Sequence, residues 1–155
     1  MDLPRLETLV NDLHIATGLD IALVDGGFRV LVRRHSGLDF CTRIHASHRC
    51  LEQCVASDST QTALAARERR CVCYTCPFGL FEAVVPIHRK GETIAYLFLS
   101  MAIEGTREAR LACVERVRAV APEFSRQALE KTLEKVPCLP GEKLRAFAAL
   151  RSMAA

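Results

Sequence analysis

Eight cysteines stand out in this chain of 155 residues, because thiols can bind metal ions, form disulfides or pack as small apolar side chains. Cys50 and Cys54 are four residues apart on a predicted helix and therefore share one helix face. Cys73 and Cys76 form a C-x-x-C pair, a spacing at which two thiolates can reach one ion. Cys41 lies in the segment that leads into the helix. These five cysteines, drawn from three neighbouring segments, are the candidate metal ligands.

The cysteines leave three kinds of chemistry open. A tetrahedral zinc site needs four ligands at about 2.3 Å, and iron–sulfur clusters also take cysteine thiolates, so zinc or an iron–sulfur cluster is the predicted cofactor of one hypothesis. Reversible disulfide formation is the second, because a C-x-x-C pair can have a lowered thiol pKa. Burial of reduced cysteines in a core is the third. The spacing differs from that of zinc fingers and ribbons, which carry two C-x-x-C pairs.

Aromatic side chains supply the second set of candidate site residues, because small-molecule sites combine apolar and aromatic walls with a few polar groups. The aromatic side chains that could line a pocket are Phe40, Tyr74, Phe78, Phe81, Tyr96 and Phe98. The chain has no G-x-S-x-G elbow, no phosphate-binding glycine loop and no H-E-x-x-H motif. We therefore predict that it is not an enzyme.

The composition is that of an ordinary globular domain, with 50% hydrophobic and 25% charged residues. A formal net charge of +3 is far from that of a dedicated nucleic-acid binder, so no direct nucleic-acid binding is predicted. Residues 1–14 carry charges every few positions, which argues against a signal peptide, and no run reaches the roughly 18 apolar residues of a membrane span. We predict one cytoplasmic domain over residues 1–155, without membrane contact, in a compartment where thiols stay reduced.

Hydrophobic periodicity predicts an α+β fold, because helices and strands do not alternate as they would around a parallel sheet. A first helix is predicted over 3–17, and Gly26 and Gly27 join two apolar runs into a β-hairpin over 21–32. The further predicted elements are a helix over 47–69, strands over 71–74, 81–86 and 93–101, and helical segments from 106 onward, including about 123–134 and 142–153. The apolar stripe predicted for the helix over 47–69 consists of Leu51, Cys54, Val55, Thr62 and Leu64.

Several of these segments match a known family in order and nearly end to end. They are "ATGLDIALVDGGFRVL" at 16–31, "FCTRI" at 40–44, "CVASD" at 54–58, "YTCPFGLFEAVVPI" at 74–87, "GETIAYLFLS" at 91–100 and the closing "EKVPCLPGEKLRAFAALRSMAA". The chain resembles the PocR sensory domain, a PAS-like ligand-binding module of bacterial transcriptional regulators and signalling proteins. It departs from the family pattern at Pro77 and Phe78, where His-Ala is usual.

The resemblance implies a PAS-like antiparallel sheet of about five strands with flanking N- and C-terminal helices. It implies a sensory role and a small organic ligand, such as a diol or a simple hydrocarbon derivative. Cys41, Cys54 and Cys76 match the motif cysteines of the family, and Cys50 or Cys73 would complete a metal set with them.

Two further expectations concern the ligand site and the assembly. Asp58 matches the acidic position of the family, and with four of the aromatic candidates it gives the predicted ligand-binding residues: Phe40, Asp58, Tyr74, Phe78 and Tyr96. A homodimer through the terminal helices is also predicted. The alternative function is a zinc or iron–sulfur redox sensor in which the cysteines are the sensing element.

Overall fold

A computed structural model describes residues 3–35, 39–140 and 142 of the chain. Its helices are α1 (Leu3–Thr17), α2 (Asp39–Ile44), α3 (His48–Glu68), α4 (Arg107–Val120) and α5 (Arg126–Leu133). Its strands are β1 (Asp20–Asp25), β2 (Val30–Arg34), β3 (Val72–Thr75), β4 (Phe81–Arg89), β5 (Glu92–Glu104) and β6 (Cys138–Leu139).

The five longer strands form an antiparallel sheet in the order β2-β1-β5-β4-β3. This confirms the predicted PAS-like α+β fold. The sixth strand, β6, was not predicted; it is two residues long and pairs in parallel with the end of β5. Strand β3 is four residues long, lies at one edge of the sheet and pairs only with β4.

The two faces of the sheet are covered by different helices, because successive side chains of a strand point to opposite faces. Ile21 and Leu23 of β1 belong to the core that includes Val10 of α1. Val24 belongs instead to a core with Phe98 of β5 and with α3. We call this second side, on which Val24 and Phe98 lie, the α3 face of the sheet.

The buried side of α3 differs from the predicted apolar stripe. Leu51 and Val55 are 38% and 55% exposed, whereas Cys50, Thr62 and Ala65 are buried. Ala65 packs in one cluster with the larger Phe98 side chain, so the sheet supplies the bulk at this contact and the helix supplies small residues. The prediction of Leu51 and Val55 as core residues is therefore wrong, although the helix itself is confirmed.

Two sequence predictions concern parts that the structure covers little or not at all. The predicted last helix over 142–153 lies outside the described residues except for Glu142, so the proposed dimer through terminal helices stays a prediction.

Within the described ranges, no helix combines the length and apolar character needed to cross a bilayer.

Candidate functional site

A cavity of about 230 Å³ lies between the α3 face of the sheet, helices α2 and α3, and the turn that precedes β4. Its apolar wall consists of Phe40, Ile44, Phe78, Leu80 and Phe98. The first four of these side chains are at most 1% exposed, so the wall is part of the hydrophobic core. A rigid apolar wall of this kind is typical of small-molecule sites.

Three of the five predicted ligand-binding residues line this cavity, namely Phe40, Asp58 and Phe78. Tyr74 and Tyr96 are not among the lining residues. Tyr96 stacks on Phe28 with ring centroids 6.0 Å apart, and Phe28 lines the cavity in its place. Tyr74 contacts the cavity only through two carboxyl groups that do line it.

Three of the five candidate cysteines also line the cavity: Cys41, Cys54 and Cys76, the residues that match the motif. Cys50 is fully buried in the neighbouring core, and Cys73 lies beside Cys71, with their Sγ atoms 3.9 Å apart. The C-x-x-C pair therefore does not converge on the cavity. Across residues 3–35, 39–140 and 142, no group of three or more His, Cys, Asp or Glu side chains is arranged to hold a metal ion.

The thiols around the cavity are protonated at neutral pH. Burial raises the pKa of Cys76 to about 11 and that of Cys54 to about 12, from an ordinary value of 9.0. Burial raises the pKa of Cys41 further still. In this protonated form a thiol packs as a small polarisable side chain, and all three contribute to the cavity wall.

A tight turn presents Cys76, Phe78 and Leu80 to the cavity. The amide of Cys76 donates to the Leu80 carbonyl at 2.8 Å, and the Gly79 amide donates to the Cys76 carbonyl at 2.9 Å. The turn needs a positive φ of 96° at Gly79, a conformation that residues with a Cβ rarely adopt. The Leu80 amide also donates to Cys76 Sγ at 3.3 Å, which fixes the thiol at the cavity wall.

A pair of carboxyl groups forms the polar end of the cavity. Asp58 reaches it from α3, four residues after Cys54 and on the same helix face, and Glu82 reaches it from β4. Tyr74 lies directly opposite Glu82 in the β3–β4 pairing. Its Oη is 2.8 Å from Asp58 Oδ1 and 3.0 Å from Glu82 Oε2. We call Asp58, Tyr74 and Glu82 the acid–tyrosine triad.

Burial disfavours the charged form of both carboxyl groups. It raises the pKa of Glu82 to about 8, from an ordinary value of 4.5, and the neighbouring Asp58 charge adds to this effect. Burial also raises the pKa of Asp58. Burial and the two acids raise the pKa of the Tyr74 hydroxyl, which therefore keeps its proton at any physiological pH.

Sequence reasoning missed two acidic lining residues, Glu82 and Asp20. Glu82 is the one charged residue in the apolar run "FGLFEAVVPI", and strand alternation places it on the same face as Val84. A charged side chain at a strand position that faces the core is the sequence signal that could have identified Glu82. Asp20 is 3% exposed at the start of β1, directly after Leu19, and had no comparable signal.

The mouth of the cavity carries residues of the β1–β2 hairpin. Phe28 is 46% exposed and has a φ of 63°, in the left-handed region. The Asp25 carboxylate stabilises this turn by accepting hydrogen bonds from the Gly27 and Arg29 amides at 2.9 and 3.0 Å. Arg33 and His45 line the same opening and are exposed to solvent.

Comparison with known proteins returned one family. The sequence pattern of the sensory domain found in PocR matches residues 1–155, the whole chain. No curated protein and no solved structure matches it.

Proposed function

Because this chain belongs to the PocR family of sensory domains, we propose that it recognises a small organic molecule in the cavity on the α3 face. The observation that supports this proposal best is the cavity itself, which combines an apolar wall with a pair of carboxyl groups at one end. A cavity of about 150 Å³ can bind benzene, so a volume of about 230 Å³ suits a molecule of similar or slightly larger size. A short-chain diol or a related hydrocarbon derivative fits both the size and the polarity.

The helices offer a route by which binding would become a signal. Cys54 and Asp58 line the cavity from α3, and Phe40 and Cys41 line it from α2, which in turn packs against α5. A ligand shifts a conformational equilibrium only by as much as it binds one state better than another. We propose that occupancy changes the position of α2 or α3 relative to the sheet and that a bacterial transcription regulator or signalling protein uses this change.

A thermal-shift and calorimetry screen of short diols tests the proposal. At a ligand concentration of 100 times Kd, we expect the free energy of unfolding to rise by about 2.7 kcal/mol, because the ligand binds only the folded state. Cys54→Leu adds volume to the cavity wall and is expected to abolish this stabilisation. Val55→Leu changes the next residue of α3, which points to solvent, and should retain it. Equal ligand responses in the two variants would place binding elsewhere.

The alternative function, a zinc or iron–sulfur sensor, is supported by one observation: three motif cysteines line the same cavity. One observation counts against it: among the residues that the structure describes, no group of three or more His, Cys, Asp or Glu side chains is arranged to hold a metal ion. We expect elemental analysis of anaerobically purified protein to give well below one zinc or iron per chain. A stoichiometric metal would favour the alternative.

A further inference from the structure

In the acid–tyrosine triad, the Tyr74 hydroxyl lies within hydrogen-bond distance of two carboxyl groups but has only one proton to donate. We propose that Tyr74 is a positioning residue that determines the specificity of the cavity: it holds the proton of Glu82, so the two acids offer a ligand only hydrogen-bond acceptors. This inference rests on the proposed function, since it concerns the ligand class of the same cavity.

A tyrosine hydroxyl has one proton to donate and two lone pairs that accept. Tyr74 Oη lies within hydrogen-bond distance of an Asp58 oxygen and a Glu82 oxygen at once. If both acids were ionised, the single proton could serve only one of them well, and the other contact would place two electron-rich oxygens together. Both contacts are hydrogen bonds when one of the acids is protonated and donates to Tyr74 Oη.

Position in the fold indicates which acid carries the proton. Glu82 lies on β4 of the sheet, whereas Asp58 lies on α3 near His45, whose positive form favours the charged form of Asp58. Glu82 is also the acid whose pKa burial raises to about 8. The hydrogen bonds therefore run in one direction: the Glu82 carboxylic acid donates to Tyr74, and the Tyr74 hydroxyl donates to the Asp58 carboxylate.

This direction decides what the cavity presents to a ligand. The second oxygen of Glu82 is a carbonyl acceptor, and the second oxygen of Asp58 is a carboxylate acceptor. Asp20 adds another buried carboxyl group on the β1 side. The other titratable groups that line the cavity are the Cys41, Cys54 and Cys76 thiols, which are weak donors, and Arg33 and His45 at the exposed mouth.

A cavity with acceptors and a negative charge selects ligands that bring hydrogen-bond donors and no negative charge. Two hydroxyl groups on a short carbon chain meet both conditions. A hydroxy acid of the same size brings one donor fewer and a carboxylate, which the Asp58 charge repels and which finds no donor on the two acids because Tyr74 holds the Glu82 proton. The acid–tyrosine triad therefore excludes hydroxy acids in favour of neutral diols of the same size.

The test compares propane-1,2-diol with lactate, which share one carbon skeleton, in the complete chain. Tyr74→Phe removes only the hydroxyl and frees the Glu82 proton to turn toward the cavity, where it can donate to a carboxylate. We expect the ratio of diol to lactate affinity to fall at least about tenfold, equivalent to about 1.4 kcal/mol. Tyr96→Phe is the matched control, because Tyr96 is the only other tyrosine and stacks at the mouth. A ratio unchanged in Tyr74→Phe overturns the inference, even if both affinities fall.

Infrared spectroscopy gives a readout that needs no ligand. At neutral pH we expect the C=O stretch of a buried carboxylic acid, absent in Glu82→Gln and shifted in Tyr74→Phe through loss of the hydrogen-bond partner. If the folded protein lacks this band, the inference is wrong whatever the ligand results. If the band is present and shifts as expected while no diol binds, the triad stands and the proposed function fails.

Discussion

Raising the pH from about 5 to 8 is expected to destabilise this domain, and Glu82→Gln is expected to abolish most of that loss. The physical reason is linkage between protonation and folding. The pKa of Glu82 is about 8 in the folded protein and close to 4.5 when the chain unfolds, because burial disfavours its charged form. Between these two values the folded state holds a proton that the unfolded state has released.

The sign and size of the effect follow directly. Where the folded state binds more protons, the free energy of unfolding falls as the pH rises, by up to about 1.4 kcal/mol per pH unit for one group. The contribution of the protonated Glu82 side chain to the free energy of unfolding is fully present below pH 4.5. It is lost as the pH rises through about 8. Urea unfolding at intervals across this window, for the wild type and Glu82→Gln, measures the loss.

Other titratable groups change the free energy of unfolding with the opposite sign or in other pH ranges. Although His45 is exposed, partial desolvation of its ring lowers its pKa, so its contribution to stability rises with pH below 6.5, opposite in sign to that of Glu82. The pKa of Asp58 is raised, so it acts in the same direction from 3.8 upward. The raised pKa values of the thiols matter only above their ordinary value of 9.0. If the free energy of unfolding changes with pH in the same way in the wild type and in Glu82→Gln, then Glu82 does not hold a proton in the folded protein at neutral pH.

Phe78→Ala is the second change with a large expected effect. Phe78 is 1% exposed and packs both in the core cluster and against the cavity, so its truncation is expected to lower the free energy of unfolding by about 3 to 5 kcal/mol. That is a large part of the 5 to 15 kcal/mol typical of a single domain. Denaturant unfolding, with an unchanged m-value as evidence of two-state behaviour, is the measurement.

Phe28→Ala provides the matched control, because it removes the same side chain from the half-exposed mouth of the same cavity. We expect it to cost less than about 1.5 kcal/mol, mainly through loss of the stacking contact with Tyr96. The Phe78 variant should also accept larger ligands, because loss of the ring enlarges the cavity. Ala is also the residue that is usual at this position in the family. A smaller loss of stability for Phe78→Ala than for Phe28→Ala would show that Phe78 is not a core residue.

The fold was predictable because its elements carry strong local patterns. The strand over 71–74 and the helix over 47–69 agree with β3 (Val72–Thr75) and α3 (His48–Glu68) within one residue at each end. Strand β6 was missed because a two-residue strand between two prolines has no periodicity to detect. The inner side of α3 was assigned incorrectly because it depends on the bulk that the sheet supplies, which no helical pattern encodes.

The candidate site was predictable where a residue carries a motif and unpredictable where it depends on register. Cys41, Cys54 and Cys76 were selected by resemblance, and all three line the cavity. Tyr74 was predicted as a wall residue, but the β3–β4 register places it opposite Glu82, where it bonds to two acids instead of lining the cavity. That pairing exists only once two strands have met, so neither segment shows it alone.

Strand β3 has a consequence for how the site would fail. It is four residues long and has a neighbour on one side only, so its backbone hydrogen bonds are among those that fray first and exchange their amide protons fastest. Tyr74 is anchored on this strand, whereas the wall residues Phe40, Phe78 and Leu80 belong to the larger core. Local opening of β3 would release the Glu82 proton while the cavity remains closed around its apolar wall. The selectivity that we propose would therefore be lost before the fold, and gentle warming would reduce it first.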